Sequence, residues 1–518
     1  MDSNLREAWA LLPDYLSQHV LVSLSAIVLG TAISLPLAIL AARSRHLRGP
    51  LLGFASVIQT IPGLALLALF YPLLLALSLL TKKFFGWSLP ALGFLPSVLA
   101  LTLYSMLPVL RNTVTALIGV DPAVTMAAKG VGMTERQSLL LVELPLAAPV
   151  IVAGIRTATV WVVGTATLST PVGQTSLGNY IFTGLQTENW VLVLFGCVAA
   201  ALLALVLDQL LALAGSGLAQ RSRRRVVFAG AGLLAVLAIS LVPAVSLSGG
   251  SAPAIVIGAK NFDEQYILAD LMADRLERAG FAATTRSDLG STIAFHALAG
   301  RGIDLYIDYS GTLWANEMHR RDMPGRQAML AQLRDWLARK NITLYGALGF
   351  ENAYVFTMRA DRAKALHIES LADLAAHAHE LKVGGDFEIF SRPEWRSVVK
   401  TYGLSFAQQR TYQADFLYRA VTDGDVDVIS AFSSDGRIQS YNLKILADPK
   451  GALPPYDAVL LVGPRYANDP KVRGALTPLV GRISLDLMQK ANFMVDRPDD
   501  KKSPGDVAIW LDRQLVKP

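Results

Sequence analysis

A succession of apolar runs between Val20 and Leu247 constrains this chain most, since each approaches the roughly 20 residues that a helix needs to cross a bilayer. Lipid offers a backbone N–H or C=O no partner, so runs of this length satisfy their own groups as helices. Six are legible, at about 20–42, 51–80, 89–110, 146–168, 190–213 and 226–247. Basic residues then set direction. Arg43, Arg45 and Arg48 in the first loop, Arg111, Lys129 and Arg136 in the third, and Arg221, Arg223, Arg224 and Arg225 in the fifth outweigh the even loops, where Lys82 and Lys83 run against the trend. The odd loops are therefore expected in the cytoplasm, which places the N-terminus and everything after Leu247 outside. The chain opens with Asp2, Arg6, Glu7 and Asp14 rather than a basic region before a small-residue cleavage site, so the first run is expected to stay in place.

Hydrophobic residues make up 53% of the 518 positions and charged ones 17%, a balance that requires lipid around part of the chain. The net charge of +6 does not point to nucleic acid, because the arginine clusters flank apolar runs and no basic stripe interleaves with aromatics. Cys197, the single cysteine, lies inside an apolar run and offers neither a disulfide framework nor a cysteine metal site.

Beyond the Ser246–Ser251 linker the chemistry changes. Runs such as AIVIGA, DLYI, LKVGG and DVDVIS alternate with amphipathic helical stretches, the pattern of an α/β domain. The segments GFENAYVFTMR and PPYDAVLLVGP flank an insertion, so two lobes with a cleft between them are expected. The resulting fold class is an all-α polytopic membrane domain followed by an α/β two-lobed domain. The membrane part covers about 1–225 and the last span with its linker about 226–253; the outer domain covers about 254–518, with lobe one from 254–345 and 456–518 and lobe two from 346–455.

Two stretches of the outer domain ask for a ligand. GIDLYIDYSGTLW, Gly302 to Trp314, begins as a buried strand and ends in Tyr309, Ser310, Gly311 and Thr312, and ligands of open α/β sheets sit beyond such strand ends. IGAKNFDEQYIL, Ile257 to Leu268, sets Lys260 and Asn261 at a strand-to-helix turn. Asn261 and Glu264 have capping-box spacing, and a helix N-terminus beside a lysine favours an anion. Other matches fail. No phosphate-cradling G-x-x-x-x-G-K-[ST] occurs; Gly230 and Gly232 lie in an apolar run with no preceding strand; Asp423, Asp425 and Asp427 lack the glycine and closing glutamate of a calcium loop. His377 and His379 fall short of metal-ligand spacing, and the cleft offers no nucleophile paired with a base, so neither a metal, a cofactor nor an enzyme is expected.

The third loop, Met126 to Arg156, reads as a short Ala-rich helix, a hinge at Gly130 and Gly132, and a second helix that meets Pro145 on entering the membrane. Ala127, Ala128, Gly132, Leu144 and Pro145 resemble the loop by which ABC-importer permeases seat a short helix in a cytoplasmic ATPase, with Met126 where glutamate is usual. In the outer domain IGAKNFDEQ, DLYIDYSGT, FENAYVF, FSRPEW, SAFSSDGRI and LPPYDAV occur in the order that resembles the binding proteins of glycine betaine, carnitine and choline ABC importers. The resemblance implies a type II periplasmic-binding fold fused to its permease, a separate ATPase subunit, a homodimer of the fusion and a place in the bacterial inner membrane. It also implies an aromatic cage of Tyr309, Tyr354, Phe432 and Tyr456, and carboxylate contacts from Lys260, Thr312 and Arg392. Phe432 stands where a tyrosine is common, Asp263 where threonine is, and Ser310 for threonine.

The chemistry is coherent. A trimethylammonium head has no N–H to donate, so ring faces must hold its diffuse charge, at about 0.5 to 2 kcal/mol each. Lys260, Arg392 and Thr312 suit a carboxylate at the other end, which favours betaine or carnitine over choline. Ergothioneine is also a trimethylammonium carboxylate; Trp395, Glu388 and Asn352 are candidates to serve its ring. A membrane-tethered sensor without transport is the rival from another class.

Overall fold

The computed structural model describes residues 3–86, 89–187, 189–248, 254–320, 322, 324–386, 389–412, 414–497 and 499–516. Gly249, Gly250 and Ser251 of the linker, and Glu388, lie outside the described residues. The chain divides into two compact units, one of Arg6–Phe182 with Val191–Gly250, the other of Ser251–Pro518 with Met1–Leu5 and Thr183–Trp190.

Among the described residues five helices are long and apolar enough to cross a membrane: Ala8–Arg43, Phe94–Ile118, Glu135–Val172, Trp190–Ala219 and Arg223–Leu241. The run expected as one span at 51–80 is instead two helices, Arg45–Thr60 and Gly63–Ser78, bent by 104°. Pro62 causes the break. Its ring disfavours helical backbone at the preceding residue, and Ile61 is accordingly extended at φ −73°, ψ 127°. Helix Phe94–Ile118 approaches helix Leu144–Ala166 closely at Gly154, where a Cβ would lie 2.7 Å from the Asn112 Cβ and 2.9 Å from the Pro108 carbonyl oxygen. Arg156 grips Asp208 with a two-pronged fork of 3.0 and 2.9 Å, the pairing by which charges are tolerated within apolar helices.

The third loop folds from local signals. Asp121 caps helix Pro122–Gly130 by accepting from Ala123 N at 2.8 Å, and Gly132 then turns the chain at φ +84°, a conformation costly for any residue with a Cβ. Thr134 and Gln137 form a capping box that restarts the helix at Glu135. A π-helical turn, Leu139–Glu143, leads into Leu144–Ala166, where Pro145 occupies the first turn that tolerates it.

The second unit carries two sheets. The first contains β1 (Ile255–Lys260), β2 (Ala283–Leu289), β3 (Leu305–Tyr309), β4 (Thr343–Glu351) and, last in sequence, β10 (Asp457–Val462), in the spatial order β2-β1-β3-β10-β4. The other contains β5 (Tyr354–Arg359), β6 (Lys382–Gly385), β7 (Gln408–Thr411), β8 (Val428–Phe432) and β9 (Leu443–Ile445), in the order β7-β6-β8-β5-β9. β1 runs parallel to β2 and β3, while β10 is antiparallel to β3 and β4. The chain therefore crosses between lobes twice, at Asn352–Ala353 and just before β10. β4 pairs with β10 as far as Glu351 opposite Asp457, which keeps Gly346 to Phe350 in the first lobe.

Candidate functional site

The strand ends of both lobes and the two crossings surround a cavity of about 340 Å³. That volume is at the small end of the roughly 300 to 1,000 Å³ of ligand pockets, so it suits a small solute. Lys260, Tyr309, Thr312, Tyr354, Arg392, Phe432 and Tyr456, which come from six different segments of sequence, all line it. Strand register explains part of this convergence. Tyr354 on β5 lies directly opposite Phe432 on β8, and their ring centroids are 4.7 Å apart. Tyr456, on the second crossing, stands nearly perpendicular to Tyr354 with centroids 5.8 Å apart. Its ring lies over Gly311, where a Cβ would come within 2.6 Å of ring carbons. Tyr309 ends β3, and Phe262, 6.0 Å from it between centroids, adds a further ring to the wall.

The cationic groups are less free than sequence suggests. Lys260 is 2% exposed and its Nζ pairs with Asp308 Oδ1, while Asp308 also accepts from the Tyr306 hydroxyl at 2.5 Å and from Tyr309 N at 2.7 Å. The lysine Nζ lies 5.2 Å from the Tyr309 ring centroid. Nearby Glu317 has its carboxyl pushed up to about 7, by burial first and then by the Asp308 charge. Arg392 bonds Glu394 at 3.2 Å and the Tyr456 hydroxyl at 3.0 Å, and stacks 5.2 Å from the centre of the Tyr354 ring. Burial works to raise the Glu394 carboxyl, but Arg392 and the Tyr456 hydroxyl outweigh it and hold the group below the usual carboxylate range. Both cations thus line the cavity while each already pairs with a carboxylate, Lys260 with Asp308 and Arg392 with Glu394.

Three expectations need correction. Asn261 does not cap the following helix: that helix runs from Asp263 to Arg278 with Phe262 at its N-cap and no side-chain cap bond. Glu264 turns instead into the interior, 2% exposed, where it accepts from the Tyr309 hydroxyl and, at 3.4 and 3.3 Å, from the amides of Asn352 and Asn492. Burying a carboxylate is costly, and these bonds are what the site offers in return. Trp395 packs against Phe356, Phe390 and Phe406 in the interior of the second lobe and does not line the cavity, whereas Asn352 does. Ser310 serves the backbone: its Oγ donates to the Pro455 carbonyl at 3.2 Å and accepts from Asp457 N at 2.9 Å, fixing the crossing that carries Tyr456.

Sequence reading missed Asn492 and Asp496, which line the cavity from helix Leu485–Asp496. They are four residues apart on the buried face of an amphipathic helix, and two polar residues there are the available signal. Among the described residues no group of three or more His, Cys, Asp and Glu could hold a metal ion.

Residues 253–513 match the family described as the substrate binding domain of the ABC-type glycine betaine transport system, and residues 34–224 match the binding-protein-dependent transport system inner membrane component. The chain belongs to these two families. It is a fused permease and binding protein of the glycine betaine/carnitine/choline type of ABC importer, an inner-membrane protein. This importer chain is 28% identical over 475 residues to the ergothioneine transport permease/ergothioneine binding protein EgtU of Helicobacter pylori, covering 89% of the present chain and 82% of that one. Its membrane part is 41% identical over 197 residues to the choline transport system permease protein OpuBB of Bacillus subtilis, 38% of the importer chain and 83% of OpuBB. The outer domain is 30% identical over 257 residues to the carnitine transport binding protein OpuCC of Listeria monocytogenes, 48% of the importer chain and 83% of OpuCC. The permease family implies a partner ABC ATPase. Ala127 and Gly132 of the third loop are exposed, Ala128 is buried, and Met126 presents an apolar side chain that is 66% exposed.

Proposed function

We propose that this importer takes up a trimethylammonium carboxylate of the glycine betaine or carnitine type. The observation that carries the reading is the convergence of Tyr309, Tyr354, Phe432 and Tyr456 on one cavity with Lys260, Thr312 and Arg392. The rings hold the methylated cation by their faces, and the basic groups and the Thr312 hydroxyl hold the carboxylate. Choline supplies no carboxylate, so it forgoes the charge-assisted bonds that Lys260, Arg392 and Thr312 can add beyond the pairs Lys260 and Arg392 already make. In transport the binding domain faces outward, closes on solute and delivers it to the permease. A separate ATPase seats on the loop that contains Ala127, Ala128, Gly132, Leu144 and Pro145, and two fused chains assemble with two ATPase subunits in the lipid bilayer.

Calorimetry on the full chain in lipid nanodiscs tests the ligand, with glycine betaine and carnitine expected to bind more tightly than choline. Tighter binding of choline than of every trimethylammonium carboxylate would overturn it. Reconstitution with the ATPase separates transport from sensing, since only a transporter shows solute-stimulated ATP hydrolysis and uptake. Ergothioneine is a second reading within the same class, favoured by the relative that aligns across both domains and by the presence of Asn352 in the cavity wall.

A further inference from the structure

Each crossing between the lobes carries an acidic residue at its first-lobe end. Glu351 ends β4 just before Asn352–Ala353, and Asp457 begins β10 just after Tyr456. The antiparallel register sets the two opposite each other, and like charges in that relation repel. Arg326, the first residue of helix Arg326–Ala338, answers both: its Nη2 lies 2.7 Å from Glu351 Oε2 and its Nε 3.1 Å from Asp457 Oδ1. A guanidinium can serve two carboxylates at once through different N–H groups, as it does here. Burial raises the Asp457 carboxyl above its usual range; Arg326 opposes that rise and Glu351 adds to it.

Glu351 also ties the crossings to the cavity. Its carboxylate accepts from Tyr456 N at 3.5 Å, and its carbonyl accepts from the Ser433 hydroxyl at 3.0 Å, which in turn accepts from Ala353 N at 3.0 Å. Asn352 N donates to the Tyr456 carbonyl at 2.9 Å and joins one crossing to the other. Asn352 and Tyr456 line the cavity, whereas Arg326, Glu351 and Asp457 lie outside its lining.

We propose that Arg326 is a positioning residue for solute capture: by bridging Glu351 and Asp457 it holds the two crossings at one spacing, and so limits how far the lobes swing and fixes where Asn352 and Tyr456 stand. Hinges between lobes are a few residues at element ends that absorb the backbone change, and these crossings are such ends. Without the arginine the two carboxylates push the crossings apart and the lobes take up a wider range of separations. Fewer molecules then present Asn352 and Tyr456 in their binding positions, and apparent affinity falls by that fraction. The inference rests on the cavity as the solute site, not on which trimethylammonium compound fills it.

Spin labels at Lys471→Cys in the first lobe and Lys364→Cys in the second, both exposed positions, read the lobe separation without solute in a Cys197→Ser full chain in nanodiscs. Arg326→Ala is expected to widen the distribution of separations at least about 1.5-fold and to weaken glycine betaine binding, read by calorimetry, at least about fivefold. Its thermal midpoint should change little, because Arg326 is half exposed and such pairs add little stability. Arg326→Ala with Glu351→Gln removes the repulsion while keeping an acceptor for Tyr456 N, and is expected to return both readings most of the way. An unchanged distribution in Arg326→Ala, or a widening that Glu351→Gln does not narrow, overturns the positioning role. Failure of the parent chain to bind glycine betaine overturns the solute reading instead, and the separations alone then decide the role of Arg326.

Discussion

Lys260 and Asp308 form an ion pair that is almost wholly out of water, with side chains 2% and 1% exposed, at the edge of the solute cavity. Removing one member of such a pair strands the other, at a cost of about 3 to 5 kcal/mol. Lys260→Ala is therefore expected to lower the thermal midpoint of the binding domain markedly, as well as to weaken solute binding. Lys260→Met with Asp308→Asn removes both charges and should recover most of the stability. If Lys260 also faces the solute carboxylate, the double variant still loses its preference for glycine betaine over choline, read by calorimetry; an unchanged preference would limit the lysine to a structural role.

Gly311 lets the Tyr456 ring lie flat against the backbone, and an added Cβ would sit 2.6 Å from ring carbons. Gly311→Ala is expected to tilt that ring out of the cage and cost roughly tenfold in glycine betaine affinity, the scale of one desolvated ring contact. Unfolding temperature should change little, because only one side chain is displaced. Wild-type affinity in this variant would show that Tyr456 contributes nothing through its face.

The Asp496 carboxyl is held well above the ordinary range, first by burial and then by Asp263 opposite it; Asp435 adds to the rise and Arg437 opposes it. Asp263 is raised by burial and by Asp435, against the Asp496 hydrogen bond and the charges of Arg437 and Lys501, while burial raises the Glu264 carboxyl against hydrogen bonds from Ser434, Tyr309, Asn492 and Asn352. A carboxyl raised by folding takes up a proton that the unfolded chain has released above about pH 4. Its contribution is complete below that value and disappears as pH rises through the folded-state value. Asp496→Asn carries no such proton, so its unfolding temperature is expected to fall less between pH 5 and pH 8 than that of the parent. Parallel pH profiles in a scan by tryptophan fluorescence would show that Asp496 holds no extra proton in the folded chain.

Arg43, at the end of the first helix, holds Glu143 through two bonds of 2.9 Å, and Ser138 donates to the same carboxylate at 3.0 Å. The clasp joins the loop helix to the membrane helix across the π turn. Glu143→Gln keeps the shape but loses the charge, so solute-stimulated ATP hydrolysis with the partner ATPase is expected to fall several-fold while solute affinity is unchanged. Normal stimulation would show that force passes through the loop without this clasp.

Patterns with a single physical cause were legible in sequence. The membrane helices followed from run length, and the two sheets from strand runs between amphipathic helices. The bend at Pro62 was missed because hydropathy averages over a proline. Tyr309, Tyr354, Phe432 and Tyr456 were identified through resemblance to a family rather than through spacing, and their meeting depends on strand register and two crossings that no local pattern encodes. The commitment of Lys260 to Asp308 lay hidden for the same reason, as the two are separated by 48 positions and adjacent only once β1 and β3 lie side by side. Asn492 and Asp496 were overlooked because a polar residue on a helix reads as surface until burial is known.

Joining receptor and translocator in one polypeptide changes how uptake scales with supply. A tethered receptor meets its permease at an effective local concentration set by the tether rather than by the number of copies in the cell. Docking strength can therefore stay low, which speeds undocking after each delivery. A cell making few copies of this importer would still run each one at full encounter frequency, and unattached receptors from related systems would compete poorly for it.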